Sequence, residues 1–171
     1  MTNNFIITSI NELRNISNRC NEIKGKKITI EGLSINEEMS QYYEKIIYNG
    51  KPKKININNC LITDENCSIL IKNYEYGTEL SIINCKLTPF QGRMILENLD
   101  PYNRISIDFS YNQLGGEGKD NFLKSIISDM NNSLEPFSTL NLSFNGFTET
   151  DISNFNKSIQ FCSFHSKVIF K

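Results

Sequence analysis

The stretch Ile55-Asn56-Ile57-Asn58-Asn59-Cys60-Leu61-Ile62 puts apolar residues at its first, third and eighth positions and a cysteine at its sixth. The phrase returns at Leu80, Ile82, Cys85 and Leu87, at Ile107, Phe109, Asn112 and Leu114, and at Leu140, Leu142, Asn145 and Phe147. Upstream, Ile28, Ile30, Leu33 and Ile35 fit the frame with Leu33 in the sixth slot, and Val168 and Phe170 begin a further copy. Successive sixth positions, Leu33, Cys60, Cys85, Asn112 and Asn145, lie 27, 25, 27 and 33 residues apart, and the long step is assigned an insertion around Asn131–Pro136. A unit recurring at that period decides the architecture of the whole chain.

Each slot has a physical reason. Alternating apolar residues make a short strand with one buried face. Asparagine at the sixth position can bond backbone groups that the exit from the strand leaves unpaired, and cysteine, small and weakly polar, suits the same buried niche. Helical stripes follow the strands. Thr88-Pro89 starts one with Phe90, Ile95, Leu96 and Leu99, and Thr148 with Asp151 caps another with Ile152, Phe155 and Ile159. Asn36 precedes Met39, Tyr43, Ile46 and Ile47; Thr63 precedes Cys67, Leu70, Ile71 and Tyr74; Phe122, Leu123, Ile126, Ile127 and Met130 complete the series. Residues 28–30, 55–57, 80–82, 107–109, 140–142 and 168–170 are expected to form one parallel sheet in chain order.

The pattern resembles the ribonuclease-inhibitor-like subclass of leucine-rich repeat proteins. The resemblance implies an α/β solenoid, a horseshoe arc with a parallel sheet on its concave face and helices on its convex face. One domain, 1–171, is expected: an N-terminal helical cap at 1–25, then about five full repeats and a terminal strand at 26–171. The cap rests on Ser9 and Glu12 as a capping box and on the stripe Ile10, Leu13, Ile16, Cys20 and Ile23. Phe5-Ile6-Ile7 reads as a preceding strand or as a staple against that helix.

A chain of 171 residues can bury its own core. The net charge of -1 and the lack of a basic stripe in the sequence argue against nucleic acid. No apolar run is long enough to span a bilayer, so no membrane insertion is expected, and no secretory signal is read. The five cysteines, Cys20, Cys60, Cys67, Cys85 and Cys162, are odd in number; two fall on repeat slots and two on helix stripes. They read as buried free thiols of a reducing, cytosolic compartment, with Cys60 and Cys85 the least reactive.

No catalytic, cofactor-binding or metal-binding residues are expected. The single histidine, His165, stands three residues after Cys162, but both read as loop and packing residues. Cys60 and Cys67 fall in different elements, and no zinc spacing is present. Gly115-Gly116-Glu117-Gly118 lacks the Lys-Ser/Thr of a phosphate loop and reads as the approach to a helix. Glu37 with Glu38, and Asp64 with Glu65, sit where helices begin and favour the helix dipole.

What remains is surface. The second, fourth and fifth positions of each unit point away from the helices. They give Thr29, Glu31 and Gly32, then Asn56, Asn58 and Asn59, then Ser81, Ile83 and Asn84. Asp108, Ser110 and Tyr111 follow, then Asn141, Ser143 and Phe144, and finally Ile169 and Lys171. Ile83, Tyr111 and Phe144 are apolar against that polar background, and Tyr111 and Phe144 fall one strand spacing apart, close enough to stack. The expected protein-binding residues are Ile83, Asp108, Ser110, Tyr111, Asn141, Ser143, Phe144, Asn58 and Asn84. The expected function is non-catalytic recognition of a partner protein by a chain that is monomeric when free. The chain also resembles small leucine-rich-repeat effectors of Legionella-like intracellular bacteria. That implies translocation into a host cell and inhibition or regulation of a partner enzyme, an effector or host protein, by covering its active site. The alternatives are an adaptor that recruits a protein to a ubiquitin ligase or other enzyme, and a cysteine-dependent enzyme.

Overall fold

Alternation builds the sheet. In the computed structural model, which describes residues 4–71, 74–100, 103–131, 137–160 and 166–171, seven strands lie side by side. They are β1 (Asn4–Ile7), β2 (Lys27–Glu31), β3 (Lys54–Asn58), β4 (Glu79–Ile83), β5 (Ile105–Asp108), β6 (Phe137–Asn141) and β7 (Lys167–Ile169). They follow chain order, and every neighbouring pair is parallel. The register aligns Ile28 with Ile55, Ile55 with Leu80, Leu80 with Ile107 and Ile107 with Leu140. These residues are buried in one cluster with helix residues such as Met39, Tyr43, Ile95 and Phe122. Neighbouring parallel strands joined by crossovers of one hand put every connection on the same side. The other side bears none of these connections and is the open face; along its middle Thr29, Asn56 and Ser81 are nonetheless buried by their neighbours, at 6%, 9% and 6% exposure.

The main connecting helices are α1 (Ile10–Ser17), α2 (Glu37–Lys45), α3 (Pro89–Glu97), α4 (Lys119–Asn131) and α5 (Glu149–Ile159). Ser9, Thr88 and Thr148 each form a full capping box, and Asn36 accepts from the Met39 N–H at 3.1 Å.

The expected leucine-rich-repeat solenoid, an arc of equivalent strand–helix units, is corrected: the protein is a mixed α/β fold on a seven-stranded parallel sheet whose units differ from one another. The region expected as a helical cap supplies β1, because Phe5 and Ile7 alternate into register with Ile28 and Ile30. The helix expected after Thr63 is a 3-10 segment, Asp64–Ile71. There Asn66 donates to Thr63 Oγ1 at 2.8 Å and Cys67 to the Thr63 carbonyl at 3.3 Å, local bonds that compete with α-helical pairing. Beyond α2 the chain widens into a π turn, Ile46–Gly50, and ends on Lys51 in the left-handed region. The ladder between β5 and β6 slips a register at Ile105 and Ser106. Strand boundaries move too: β5 begins two residues before Ile107, and β6 three before Leu140. Residues 132–136 of the Asn131–Pro136 insertion, together with Cys162 and His165, lie outside the described residues.

The sixth slot is the junction between neighbouring units. Asn112 Nδ2 donates to the Ile82 and Phe109 carbonyls at 2.7 and 2.9 Å, and its Oδ1 accepts from the Cys85 and Leu87 N–H groups at 2.9 and 3.1 Å. Asn145 donates to the Phe109 and Leu142 carbonyls and accepts from Leu114 N–H. Cys60 and Cys85 do the same work more weakly: their thiols donate to Ile30 and Ile57 carbonyls at 3.7 and 3.4 Å. Cys20, Cys60, Cys67 and Cys85 are free and buried.

Asn112→Ala strands two buried N–H groups, and leaving a buried polar group unpaired costs about 1–3 kcal/mol. The variant is therefore expected to lose about 3 kcal/mol in urea denaturation, whereas alanine at the neighbouring exposed Gln113 changes stability by less than about 0.5 kcal/mol.

Candidate functional site

The fifth position of each unit is where the chain leaves its strand, and it leaves through the left-handed region. Gly32, Asn59, Asn84, Tyr111 and Phe144 have φ of 69°, 53°, 54°, 59° and 57°. Glycine and asparagine adopt that conformation readily. For tyrosine and phenylalanine it costs roughly 1–2 kcal/mol each. The first members of this column make a polar ladder: Asn84 Nδ2 donates to Asn59 Oδ1 at 2.6 Å, and Asn59 Nδ2 to Glu31 Oε1 at 3.4 Å. The last two stack, with ring centroids 4.4 Å apart and planes 17° from parallel. Tyr111 is 54% exposed and Phe144 53%. The column and the strand spacing together produce the stack expected from sequence.

The other expected residues separate into accessible and inaccessible groups. Asn84 is exposed, and Ile83, Asp108, Asn141 and Asn58 are half-buried. Ser110 and Ser143 are only 5% and 3% exposed and offer no contact surface. A local network holds them: Asp108 Oδ1 accepts from Ser110 N–H at 2.9 Å and Asn141 Nδ2 at 3.0 Å, and Asn141 Oδ1 accepts from the Ser143 N–H and hydroxyl. Asp108 thus shapes the exits from β5 and β6. On β3, Asn56 is 9% exposed, and the side-chain oxygens of both Asn56 and Asn58 are shut away without a donor.

Five exposed groups with large apolar area were missed by sequence reasoning: Ile6, Tyr48, Leu61, Tyr76 and Phe90. Phe90 reads as core when helical spacing is counted loosely, yet it stands at the second position of α3, off the face that buries Gln91, Gly92 and Ile95. Leu61 follows Cys60 and points away from its buried neighbour Ile62, as alternation requires.

The buried thiols offer no evident chemistry. The Cys60 N–H donates to Cys85 Sγ at 3.4 Å, and the contact with Cys60 together with burial pushes the Cys85 thiol far above its ordinary range. Burial raises the Cys67 thiol to about 11. The Cys85 contact lowers the Cys60 thiol in turn, but that side chain is only 3% exposed, and thiols that are buried in this way or held protonated are poor nucleophiles. A Cβ on Gly115 would meet the Gly146 backbone at 2.5 Å, so the glycine run there is a close chain crossing. Among the described residues no group of three histidine, cysteine or acidic side chains could hold a metal ion, and no helix is long and apolar enough to cross a membrane. A cavity of about 700 Å³ opens at the opposite edge of the sheet, between Tyr48, Tyr74, Leu99 and Ile105, away from the aromatic pair.

No family model matches the chain, and no curated protein matches it.

The aromatic pair contributes little to folding, because a stack worth about 0.5–1.5 kcal/mol is set against the left-handed strain. Replacing both rings by the column's own residue, Tyr111→Asn with Phe144→Asn, is expected to change unfolding free energy by less than about 1 kcal/mol. Thermal and urea denaturation measure it.

Proposed function

We propose that this chain is a non-catalytic binding module that grips a partner protein through the open face of its sheet, centred on Tyr111 and Phe144. One observation carries the reading. Two aromatic rings are held in solvent, in backbone conformations that penalise them, where asparagine would satisfy the fold. Strain at such positions points to function rather than packing, and exposed aromatics within a polar surround form the centre of interface hot spots. Ile83 and Asn84 on the neighbouring unit extend the patch, and Asn141 and Asp108 give it polar definition.

The sheet is large enough for the task. Seven strands at about 4.8 Å spacing span roughly 29 Å, in keeping with a contact of about 800 Å² per partner. A partner enzyme held over such a face has its cleft covered by a body of comparable size, and inhibition by occlusion is the mode of regulation. Four buried free thiols suit a reducing, cytosolic setting.

The test uses wild-type protein and the Tyr111→Asn, Phe144→Asn variant as baits in native cytoplasm, followed by affinity and activity measurements on the purified retained protein. The variant is expected to bind at least about tenfold more weakly, equivalent to about 1.4 kcal/mol. Equal affinity in a folded variant overturns the reading.

A further inference from the structure

Parallel topology sorts the charges of this chain. All strands end at one edge of the sheet, and the connections that follow start there. Residues 8–13, 31–38, 58–65, 83–90, 108–120 and 141–151 cover these exits and first turns. Of the 19 acidic residues of the chain, eleven lie in them; of the 18 lysines and arginines, Lys86 and Lys119 do, and Lys171 joins them at the exit of β7, where its carbonyl accepts from the Phe144 N–H at 3.1 Å. Lys119 is neutralised there by Asp151 at 2.8 Å. The opposite edge gathers lysines, with Lys27 and Lys54 in register and Lys26 and Lys53 beside them, although Glu79 and Glu75 pair there with Lys54 and Lys51 at 2.8 and 2.6 Å. A net charge of -1 therefore conceals a molecule with one acidic and one basic edge. The left-handed column, with Tyr111 and Phe144, lies on the acidic edge.

The open face next to that edge lacks hydrogen-bond donors where it has buried acceptors. Asn56 is nine-tenths buried, and its Oδ1 has no donor; Asn58, two residues on and on the same face, repeats the defect. Leaving such oxygens unpaired costs about 1–3 kcal/mol each, and rotation about χ2 turns an asparagine amide toward a group seated above it. Glu31 is the register partner of Asn58 on β2 and adds a carboxylate beside these oxygens. Two strand spacings, about 10 Å, separate this acceptor group from the unit that carries Tyr111.

We infer that the partner is a basic protein surface, one that lays arginine across Asn56, Asn58 and Glu31 and an apolar anchor on Tyr111 and Phe144. The inference rests on the docking surface proposed above and adds its chemistry. A guanidinium brings several donors and a positive charge together, and its planar face also stacks on aromatic rings. Charge complementarity of this kind steers encounter and rejects acidic competitors.

The chain contains no tryptophan, so a peptide carrying one reports its own binding by fluorescence. The probes are a peptide of alternating arginine and leucine with a single tryptophan, and its glutamate counterpart. They are titrated against wild type, against Tyr111→Asn with Phe144→Asn, and against Glu31→Lys with Glu117→Lys and Glu149→Lys. Each titration is run at about 0.02 M and about 0.5 M salt, because screening separates exposed-charge attraction from apolar contact. The arginine peptide is expected to bind and the glutamate peptide not. Charge reversal is expected to weaken binding at least tenfold at low salt, with the difference shrinking at high salt. Glutamine at the same three positions gives an intermediate loss without new charge, a control should the lysine set fold poorly. Equal binding of the two peptides, binding of neither, or indifference to charge reversal overturns the basic-partner inference. Loss in the aromatic variant toward both peptides alike leaves the docking surface standing without its charge preference. Full affinity in the aromatic variant overturns the aromatic-centred reading itself. Self-association of wild type in sedimentation that is abolished by the charge reversal makes a second copy the occupant, and overturns the inference as well.

Discussion

The structure depends on how the backbone is satisfied where each strand ends. A parallel strand that turns abruptly toward a helix leaves N–H and carbonyl groups without ladder partners. Asn112 and Asn145 take up those groups from two successive units at once. Because each asparagine reaches into the unit before it, the spacing between units and the path of the exit are set together. The left-handed fifth position is the geometric consequence: the residue before the sixth slot must reverse direction so that the slot can point inward. Whatever side chain stands at the fifth position is therefore presented at the sheet edge, which is why a column of glycine and asparagine can end in two exposed aromatic rings.

Where cysteine replaces asparagine the same junction is made with weaker bonds. Cys60 and Cys85 donate at longer distances and accept poorly, yet their volume suits the buried niche. The helices that follow do not sort by this residue: Cys60 is followed by the 3-10 segment Asp64–Ile71, whereas Cys85, Asn112 and Asn145 each lead into a full α-helix. The chain holds one continuous core through these irregularities because the inward residues of β2 to β6 stay aligned.

Much of this was legible in the residues and some was not. The inward alternation of Ile28, Ile55, Leu80, Ile107 and Leu140, the caps at Ser9, Asn36, Thr88 and Thr148, and the stack of Tyr111 on Phe144 all follow from short-range rules. The solenoid of equivalent units did not survive, because equivalence depends on how each connection packs, and sequence spacing is blind to a π turn at Ile46–Gly50 or a register slip at Ile105. Phe5 to Ile7 were ambiguous because three apolar residues suit a strand or a staple equally, and only pairing with β2 decides. At the candidate site, position alone placed Ser110 and Ser143 on the surface. The network of Asp108 and Asn141 over short side chains buries them. The segregation of charge was invisible along the sequence, since acids and lysines alternate there and only the fold collects them at opposite edges.

The central claim is that the buried asparagines tie one unit to the next. Amide hydrogen exchange followed by NMR tests it directly at the N–H groups of Cys85, Leu87 and Leu114, which lie outside the strands and bond to Asn112 and Asn145 side chains. The account predicts that these three exchange as slowly as the sheet amides of Ile57 and Ile82, opening only with the whole molecule. Exchange at the rate of an exposed turn, with Ile57 and Ile82 still protected, would contradict it.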